Sequence, residues 1–251
     1  MNRILFEPGE CADGRLTLRD ARADHLRHVL RAEPGDAVRL GEINGRLAEG
    51  RVERVTADAV DLTLIWGEIP PRPEVDLILA LPRPKVLKRI LPQIAALGVG
   101  RLFLVNAARV ERVYFDTHVL EPGCIRTALT EGLTQAGDTR LPEVRVERRL
   151  KPFVEDDLDA ATDAATRWLL HPGADRPILD APLPPGRLLL AIGPEGGWVP
   201  YERDLFAARG FGPVHLHDRI LRSDTATVAA LATAHARRSA EKGHSLYHSV
   251  H

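Results

Sequence analysis

Two short stretches hold residues whose types and spacing could do chemistry. The first is Leu188-Leu189-Leu190-Ala191-Ile192-Gly193-Pro194-Glu195-Gly196-Gly197-Trp198, an apolar run that stops in a glycine-rich turn. The second is Leu216-His217-Asp218-Arg219-Ile220-Leu221-Arg222-Ser223-Asp224-Thr225-Ala226. Gly193, Gly196 and Gly197 carry no Cβ, so the backbone can bend sharply and a ligand can come close to it. Pro194 fixes one φ angle and stiffens the turn. In the second stretch Ser223, Asp224 and Thr225 are residue types that start helices, and a helix start leaves N–H groups free. The chemistry on offer is close approach of backbone to a ligand. Neither the dinucleotide pattern G-x-G-x-x-G nor the P-loop pattern is present.

The elements that must position these loops follow from patterning. Leu188–Ile192, a continuous apolar run bounded by turn residues, reads as a buried strand of a parallel sheet. Val214–Leu216 reads as a short strand, and the alanine-rich stretch from Ala226 to Ala240 as a helix. In an open α/β sheet, ligands bind outside the carboxyl ends of the strands, and both loops sit at such ends. Upstream, Val75–Leu81 reads as a buried strand. Residues 84–97 read as a helix with Leu87, Ile90, Leu91, Ile94 and Leu97 on one face, ended by Gly98. Pro92 should kink that helix or cost it about 3 kcal/mol. Residues 101–105 and 168–171 read as strands and 123–136 as a helix. Strands alternating with helices predict an α/β domain with a parallel sheet covered on both faces.

The first seventy residues read differently. Arg3–Phe6 is a strand, and residues 23–31 are a short helix with Leu26, Val29 and Leu30 on one face. Residues 37–40, 47–55 and 60–65 alternate as strands, with Asn44-Gly45 a hairpin signal and Pro34-Gly35-Asp36 a turn. Short strands with tight turns predict a small β-barrel. Pro70, Pro71 and Pro73 make a stiff linker, so the expected domains are 1–70 and 73–251.

Composition narrows the class. The chain has 251 residues, 44% of them apolar, and a formal net charge of −1, so a sizeable core is possible and no overall basic surface advertises nucleic acid. Arginine far outnumbers lysine. Cys11 and Cys124 are distant in sequence and read as reduced cytosolic thiols. No apolar run is long enough to span a bilayer, and Met1-Asn2-Arg3 does not open a signal peptide, so a soluble cytoplasmic protein is expected. His215 and His217 flank Leu216 and should face opposite sides of a strand, which argues against a metal there. His244, His248 and His251 read as a flexible tail.

Ile192-Gly193-Pro194-Glu195-Gly196-Gly197-Trp198 followed by Leu216-x-x-x-Ile220-Leu221-Arg222-x-x-Thr225-Ala226 resembles the two signature loops of the RsmE family. These are SPOUT-class methyltransferases that act on the N3 of a uridine in 16S small-subunit ribosomal RNA, uridine 1498 in the family. His25-Leu26-x-x-Val29-Leu30-Arg31 resembles the opening helix of the family's PUA-like barrel, and Leu141-Pro142-Glu143-Val144 fits. The middle departs from the usual pattern at Gln93–Val99 and Thr130–Gln135. The resemblance implies a SPOUT methyltransferase domain with a deep trefoil knot behind the PUA-like barrel, a homodimer, an assembly with the small ribosomal subunit, and no metal or membrane.

It also implies S-adenosyl-L-methionine as cofactor. The matching positions are Leu170 and His171, then Ile192, Gly193, Pro194, Glu195, Gly196 and Gly197, then Leu216, Ile220, Leu221, Arg222, Thr225 and Ala226. A uridine N3–H is a weak acid that must lose its proton. Arg222 is the candidate to stabilise the developing anion, because its planar fork matches two uracil acceptors. Glu195 and Glu202 are candidates to orient or accept the proton. Glu195 reads equally as a carboxylate capping loop amides, and Asp224 as a helix N-cap. Arg22, Arg39, Arg46, Arg51 and Arg54 read as a solvated mixed-charge surface. For Arg3, Arg27 and Arg31 the resemblance favours RNA phosphates instead, with Arg27 and Arg31 four apart on one helix face. Val228, Leu231 and Ala232 form a stripe that either meets a second copy or packs on the sheet. Two other classes stay open: a SPOUT enzyme acting on another nucleotide such as a tRNA ribose, and a non-catalytic RNA-binding protein.

Overall fold

The computed structural model describes residues 3–241; Met1, Asn2 and the histidines at 244, 248 and 251 lie outside the described residues. The chain divides into two compact units, Met1–Arg72 with Leu129–Leu141, and Pro73–Ala128 with Pro142–His251.

The first unit is a curled six-stranded sheet in the order β1-β4-β5-β6-β3-β2. Its strands are β1 (Ile4–Phe6), β2 (Cys11–Ala12), β3 (Arg15–Leu18), β4 (Ala37–Glu42), β5 (Leu47–Val55) and β6 (Val60–Trp66). β1 and β4 run parallel, and every other neighbouring pair is antiparallel. On β5, Ala48, Gly50 and Val52 turn inward while Glu49, Arg51 and Glu53 face water, the period of two that a one-sided sheet requires. Asn44, in the turn between β4 and β5, has φ +58°, the left-handed geometry a tight hairpin needs. Phe6, Leu18, Leu26, Leu40 and Val60 form a sealed core.

Residues 23–31 do not make the expected helix. A short helix α1 (Ala21–Asp24) is capped by Asp20, which accepts from the Arg22 amide at 2.9 Å, and then widens into a π turn over His25–Val29. The Leu30 amide reaches back five residues to the His25 carbonyl, at 3.0 Å. That wider turn rotates later side chains off the expected stripe. Leu26 is fully buried, but Val29 and Leu30 are exposed, and Arg31 sits past the helix at φ +51°. Residues 129–141, assigned by the sequence to the C-terminal domain, pack with this unit instead. The Thr139 carbonyl accepts from the Asn44 amide at 2.7 Å, and the Arg140 guanidinium donates to the Pro70 carbonyl at 2.6 Å.

The second unit is built on a wholly parallel sheet in the order β12-β10-β11-β7-β8-β9. The strands are β7 (Val75–Ala80), β8 (Val99–Val105), β9 (Glu143–Glu147), β10 (Thr166–Leu170), β11 (Leu188–Ile192) and β12 (Gly212–Val214). β7 and β11 are buried along their whole length, as their uninterrupted apolar runs demand of strands covered on both faces. The helices are α2 (Pro84–Ala96), α3 (Pro122–Ala136), α4 (Leu150–Pro152), α5 (Leu158–Ala161), α6 (Pro200–Ala207) and α7 (Ser223–Glu241), with a π turn over Phe153–Asp157 joining α4 to α5. α3 crosses from the second unit into the first.

α2 runs unbroken through Pro92. Proline removes one hydrogen bond, and the burial of Leu87, Ile90, Leu91 and Ile94 on the surrounding turns holds the helix regardless. Gly98, at φ +76°, ends it as expected. α7 packs on α2, β7 and β11. Thr227, Ala230, Leu231 and Ala234 are its buried face, so the Leu231 of the expected stripe serves this chain's own core. Val228 is half-buried and Ala232 exposed. No helix among the described residues is long and apolar enough to cross a membrane, and no described group of histidine, cysteine and carboxylate side chains could hold a metal.

Candidate functional site

β12, β10 and β11 are adjacent and parallel, so the chain leaves all three at the same edge. The loops that follow line one cavity of about 280 Å³. The β10 end supplies Leu170, His171 and Pro172. The β11 end supplies Ile192, Gly193, Pro194, Glu195, Gly196, Gly197 and Trp198. The stretch after β12 supplies His215, Leu216, His217, Arg219, Ile220, Leu221, Ser223 and Ala226, and Arg109 comes from the loop after β8.

The glycine turn is closed by the Gly197 amide donating to the Pro194 carbonyl at 2.8 Å. Gly197 has φ +73°, a geometry that L side chains resist. Gly193 lies against the Trp198 indole, which an added Cβ would approach to 3.1 Å. Trp198 is 4% exposed and stacks edge-on against Phe206, with ring centroids 4.9 Å apart. Its indole N–H is buried without a partner. A Cβ on Gly196 would come within 2.8 Å of the Arg109 Cδ, and the Arg109 guanidinium donates to the Gly196 carbonyl. The turn is therefore braced from outside by one arginine and one indole.

Three histidines line the cavity. Burial, with the nearby Arg203 charge, holds the His171 pKa below its ordinary value. The neutral ring can then accept from Arg203, whose Nη1 lies 2.9 Å from Nε2. The Arg219 amide donates to His217 Nδ1 at 2.8 Å. The expectation that His215 and His217 face opposite sides is corrected. β12 ends at Val214, and only His215 continues the ladder, through a single bridge to Pro177. Strand alternation does not govern side chains beyond a strand's end.

Thr225 and Arg222 stand apart from this lining. Thr225 is exposed. The Arg222 side chain, 70% exposed, faces a neighbouring concavity together with Arg83, Lys85, Arg89 and Tyr114. Asp224 is not the N-cap of α7. The Ala226 amide donates to the Arg222 carbonyl, which sets the helix start earlier, and Asp224 lies in the first turn, paired with Arg89. Glu195 is 43% exposed and 3.8 Å from Arg83. Among the described residues its carboxylate meets that arginine rather than a capping amide.

Glu202 is not among the residues that line the cavity. It is buried and accepts from the Ala108 amide at 2.7 Å and the Val199 amide at 2.9 Å. Both oxygens are taken by backbone donors, so the carboxylate fastens the start of α6 to the loop after β8.

In the first unit, Arg3 donates to the carbonyls of Gly137 at 2.8 Å, Leu40 at 2.6 Å and Ala48 at 3.4 Å. Arg27 is clasped by Asp24 and the Ala57 carbonyl. Arg31 is exposed. Arg27 and Arg31 do not share a helix face, because Arg31 lies outside the helix.

Arg109 and Trp198 were given no part by the sequence. Trp198 closes the first motif without a role read from the sequence, and only the fold buries its N–H without a partner. Arg109 belongs to no motif at all.

Comparison with known proteins adds the following. Residues 70–235 match the family model described as an RNA methyltransferase domain, and residues 18–65 match the RNA methyltransferase PUA domain. The chain is 34% identical over 247 residues to the ribosomal RNA small subunit methyltransferase E of Treponema pallidum, covering 94% of this chain and 92% of that one. Its fold is similar to that of the ribosomal RNA small subunit methyltransferase E from Neisseria gonorrhoeae bound to S-adenosyl methionine. The TM-score is 0.77 at 21% identity, over 94% of this chain and 98% of that one. It is also similar to Lpg2936 from Legionella pneumophila, in complex with the bound cofactor SAM, at TM-score 0.75 and 26% identity over 94% and 97% of the two chains.

Proposed function

Since the chain belongs to the ribosomal RNA small subunit methyltransferase E family of RNA methyltransferases, we propose that it methylates the N3 of a uridine in 16S ribosomal RNA from S-adenosyl-L-methionine. The observation that carries this reading is the meeting of three strand-end loops, both signature stretches among them, around one cavity.

The residues present fit that cofactor. Leu170, Ile192, Leu216, Leu221 and Ala226 supply apolar walls, the glycine turn supplies closely approachable backbone, and the unpartnered Trp198 N–H lacks an acceptor. Flat apolar slots with a few fixed polar groups are how proteins hold adenine-sized ligands. When bound, the cofactor supplies an electrophilic methyl group. His171, kept neutral, adds no positive charge to compete with a sulfonium. Ile192 to Gly197 on one side and Leu216, Ile220, Leu221 and Ala226 on the other would hold the ligand between them.

For the substrate, Arg222 is the group proposed to stabilise the negative charge that reaches a uracil oxygen as N3 loses its proton. Glu195, half-exposed among the lining residues, is the proposed acceptor of that proton. Glu202 accepts from a backbone amide on each oxygen and is not among the cavity's lining residues, so on this reading it is a structural tie rather than the proton acceptor. In the barrel, Arg31 keeps an exposed guanidinium for a phosphate, whereas Arg3 and Arg27 spend their donors on carbonyls.

The same reading carries the family's trefoil knot, a homodimer, and work in the cytoplasm on the small ribosomal subunit. Light scattering at micromolar concentration tests the dimer; a monomer alone would remove it. The activity is tested by incubating the chain with S-adenosyl-L-methionine and small-subunit rRNA, digesting the RNA, and identifying the nucleoside by mass spectrometry. The expected product is 3-methyluridine. A ribose-methylated nucleoside would sink the N3 assignment, and absence of S-adenosyl-L-methionine binding by titration calorimetry would leave a non-catalytic RNA-binding protein.

A further inference from the structure

The start of α2 breaks an electrostatic rule that α6 and α7 obey. A helix N-terminus carries partial positive charge and favours acidic residues in its first turn. α6 has Glu202 there and α7 has Asp224. α2, a 13-residue helix, has no acidic residue in its first turn and no side chain capping its N-terminus. It begins Arg83-Pro84-Lys85 and carries Arg89 one turn on, so cations are stacked at the end of the helix that repels them.

Those cations converge. Arg83, Lys85 and Arg89 line an open concavity of about 580 Å³ with Tyr114 and Arg222. The carboxylates that face them are few. Asp224 pairs with Arg89 and lies 4.0 Å from Arg222, Glu195 lies 3.8 Å from Arg83, and Glu111 accepts from the Tyr114 hydroxyl at 2.8 Å. Four cations against these partners leave positive charge on a chain whose formal net charge is −1. The concavity also adjoins the cavity already described. Arg222 sits between Leu221 and Ser223, which line that cavity, and Arg83 meets Glu195 on its lip.

We propose that this concavity seats the phosphodiester backbone of the RNA strand flanking the nucleotide in reaction, with Arg83, Lys85 and Arg89 on phosphates and Tyr114 offering a ring to a neighbouring base. The proposal rests on the RNA methyltransferase reading and adds where the strand runs. Cations in excess of their carboxylates beside a helix N-terminus favour an anion, and single-stranded RNA is held by basic grooves with aromatic platforms. The patch lies wholly within the segment that matches the RNA methyltransferase domain. RNA grip therefore resides on the catalytic unit as well as on the barrel.

The test uses the full chain, a fluorescently labelled transcript of small-subunit ribosomal RNA, and anisotropy titrations across a series of KCl concentrations. Lys85→Ala should raise Kd about fivefold at low salt and reduce the slope of log K against log salt by about 0.7, the loss of one phosphate contact. Lys85→Glu should raise Kd further, and Lys85→Arg should restore it. Lys88→Ala removes the same charge from the same helix at a position outside the concavity, and should change the slope by less than half as much. Affinity for S-adenosyl-L-methionine, by calorimetry, should stay within about twofold in all four variants. An unchanged Kd and slope for Lys85→Ala and Lys85→Glu would overturn the proposal, as would equal effects at Lys85 and Lys88. A wild-type product other than 3-methyluridine, with the Lys85 effects intact, would sink the N3 reading and leave this one standing.

Discussion

Arg27 in the N-terminal unit and Arg222 in the C-terminal unit carry the same guanidinium into different surroundings. The Arg27 side chain is 16% exposed and closed on Asp24 and the Ala57 carbonyl; that of Arg222 is 70% exposed, 4.0 Å from its nearest carboxylate. Arg3 resembles Arg27, with three carbonyls as acceptors. Arg83 resembles Arg222, 64% exposed and loosely paired. A guanidinium has five donors and no acceptor. Once its donors are committed to the fold it is a structural tie, and only an uncommitted fork can meet a ligand. Counting arginines along the chain therefore says little about where RNA is gripped; their acceptors decide.

The largest effect should come from the open arm of this comparison. Arg222→Ala should lower the single-turnover methylation rate by about a hundredfold or more, the scale of losing one preorganised donor to a developing anion. The unfolding midpoint should move little, and RNA affinity should fall by no more than the loss of one cation from the basic concavity. Equal losses of rate and stability would show that Arg222 is a tie like Arg27.

Arg3→Ala tests the closed arm. Stranding part-buried carbonyls of Leu40 and Gly137 should cost about 2–3 kcal/mol, read by urea unfolding of the intact chain. Arg3→Lys should not rescue, because one ammonium cannot span the same acceptors. The salt dependence of RNA binding should stay as in wild type. A slope change without a stability change would return Arg3 to the RNA surface.

Glu202→Gln asks whether a committed carboxylate behaves as a committed arginine does. One amide oxygen cannot replace two carboxylate oxygens toward the Ala108 and Val199 amides, so about 1–2 kcal/mol should be lost. The methylation rate at low temperature should stay within about threefold. A rate loss of a hundredfold at unchanged stability would restore Glu202 as a proton acceptor.

The smallest effect concerns His235 on α7. Burial holds its pKa below the ordinary 6.5, and its Nε2 has no partner. The folded chain keeps the ring neutral while the unfolded chain takes up a proton below 6.5. Stability is therefore complete above that pH and is lost as pH falls through it toward the depressed folded value. One such group contributes at most about 1.4 kcal/mol per pH unit. Urea midpoints compared between about pH 7.5 and 5.5 should show this slope, and His235→Asn should flatten it. His171, depressed by burial and by Arg203, adds in the same direction. A slope unchanged in the variant would mean that other groups carry it.

Much of the scaffold was legible because it depends on pattern within one segment. β5 and β11 fall on the expected residues, α2 begins where expected, and α7 begins three residues before the expected Ala226. β3 and α6 went unread. The first has only four residues, and the second is only eight residues long and follows Val199, an N-cap residue whose side chain offers no acceptor. The 23–31 segment has a helical stripe in its sequence, yet a single widened turn redirects Val29, Leu30 and Arg31.

The sequence by itself determined the two kinds of unit, the strand ends on which the loops sit, and the family. Each is written in local periodicity, in turn residues, or in a contiguous motif. Only the tertiary structure decided which polar side chains are free to act. It turned Glu202 and Arg27 onto backbone groups of distant segments, brought Arg109 and Trp198 to the glycine turn, drew 129–141 into the first unit, and set Arg222 beside Arg83, Lys85 and Arg89. The physical reason is that an apolar side chain needs only a buried face, which its own segment's period defines. A charged or hydrogen-bonding side chain needs a specific acceptor at about 3 Å. Which group stands at that distance is settled by the segments that fold against it.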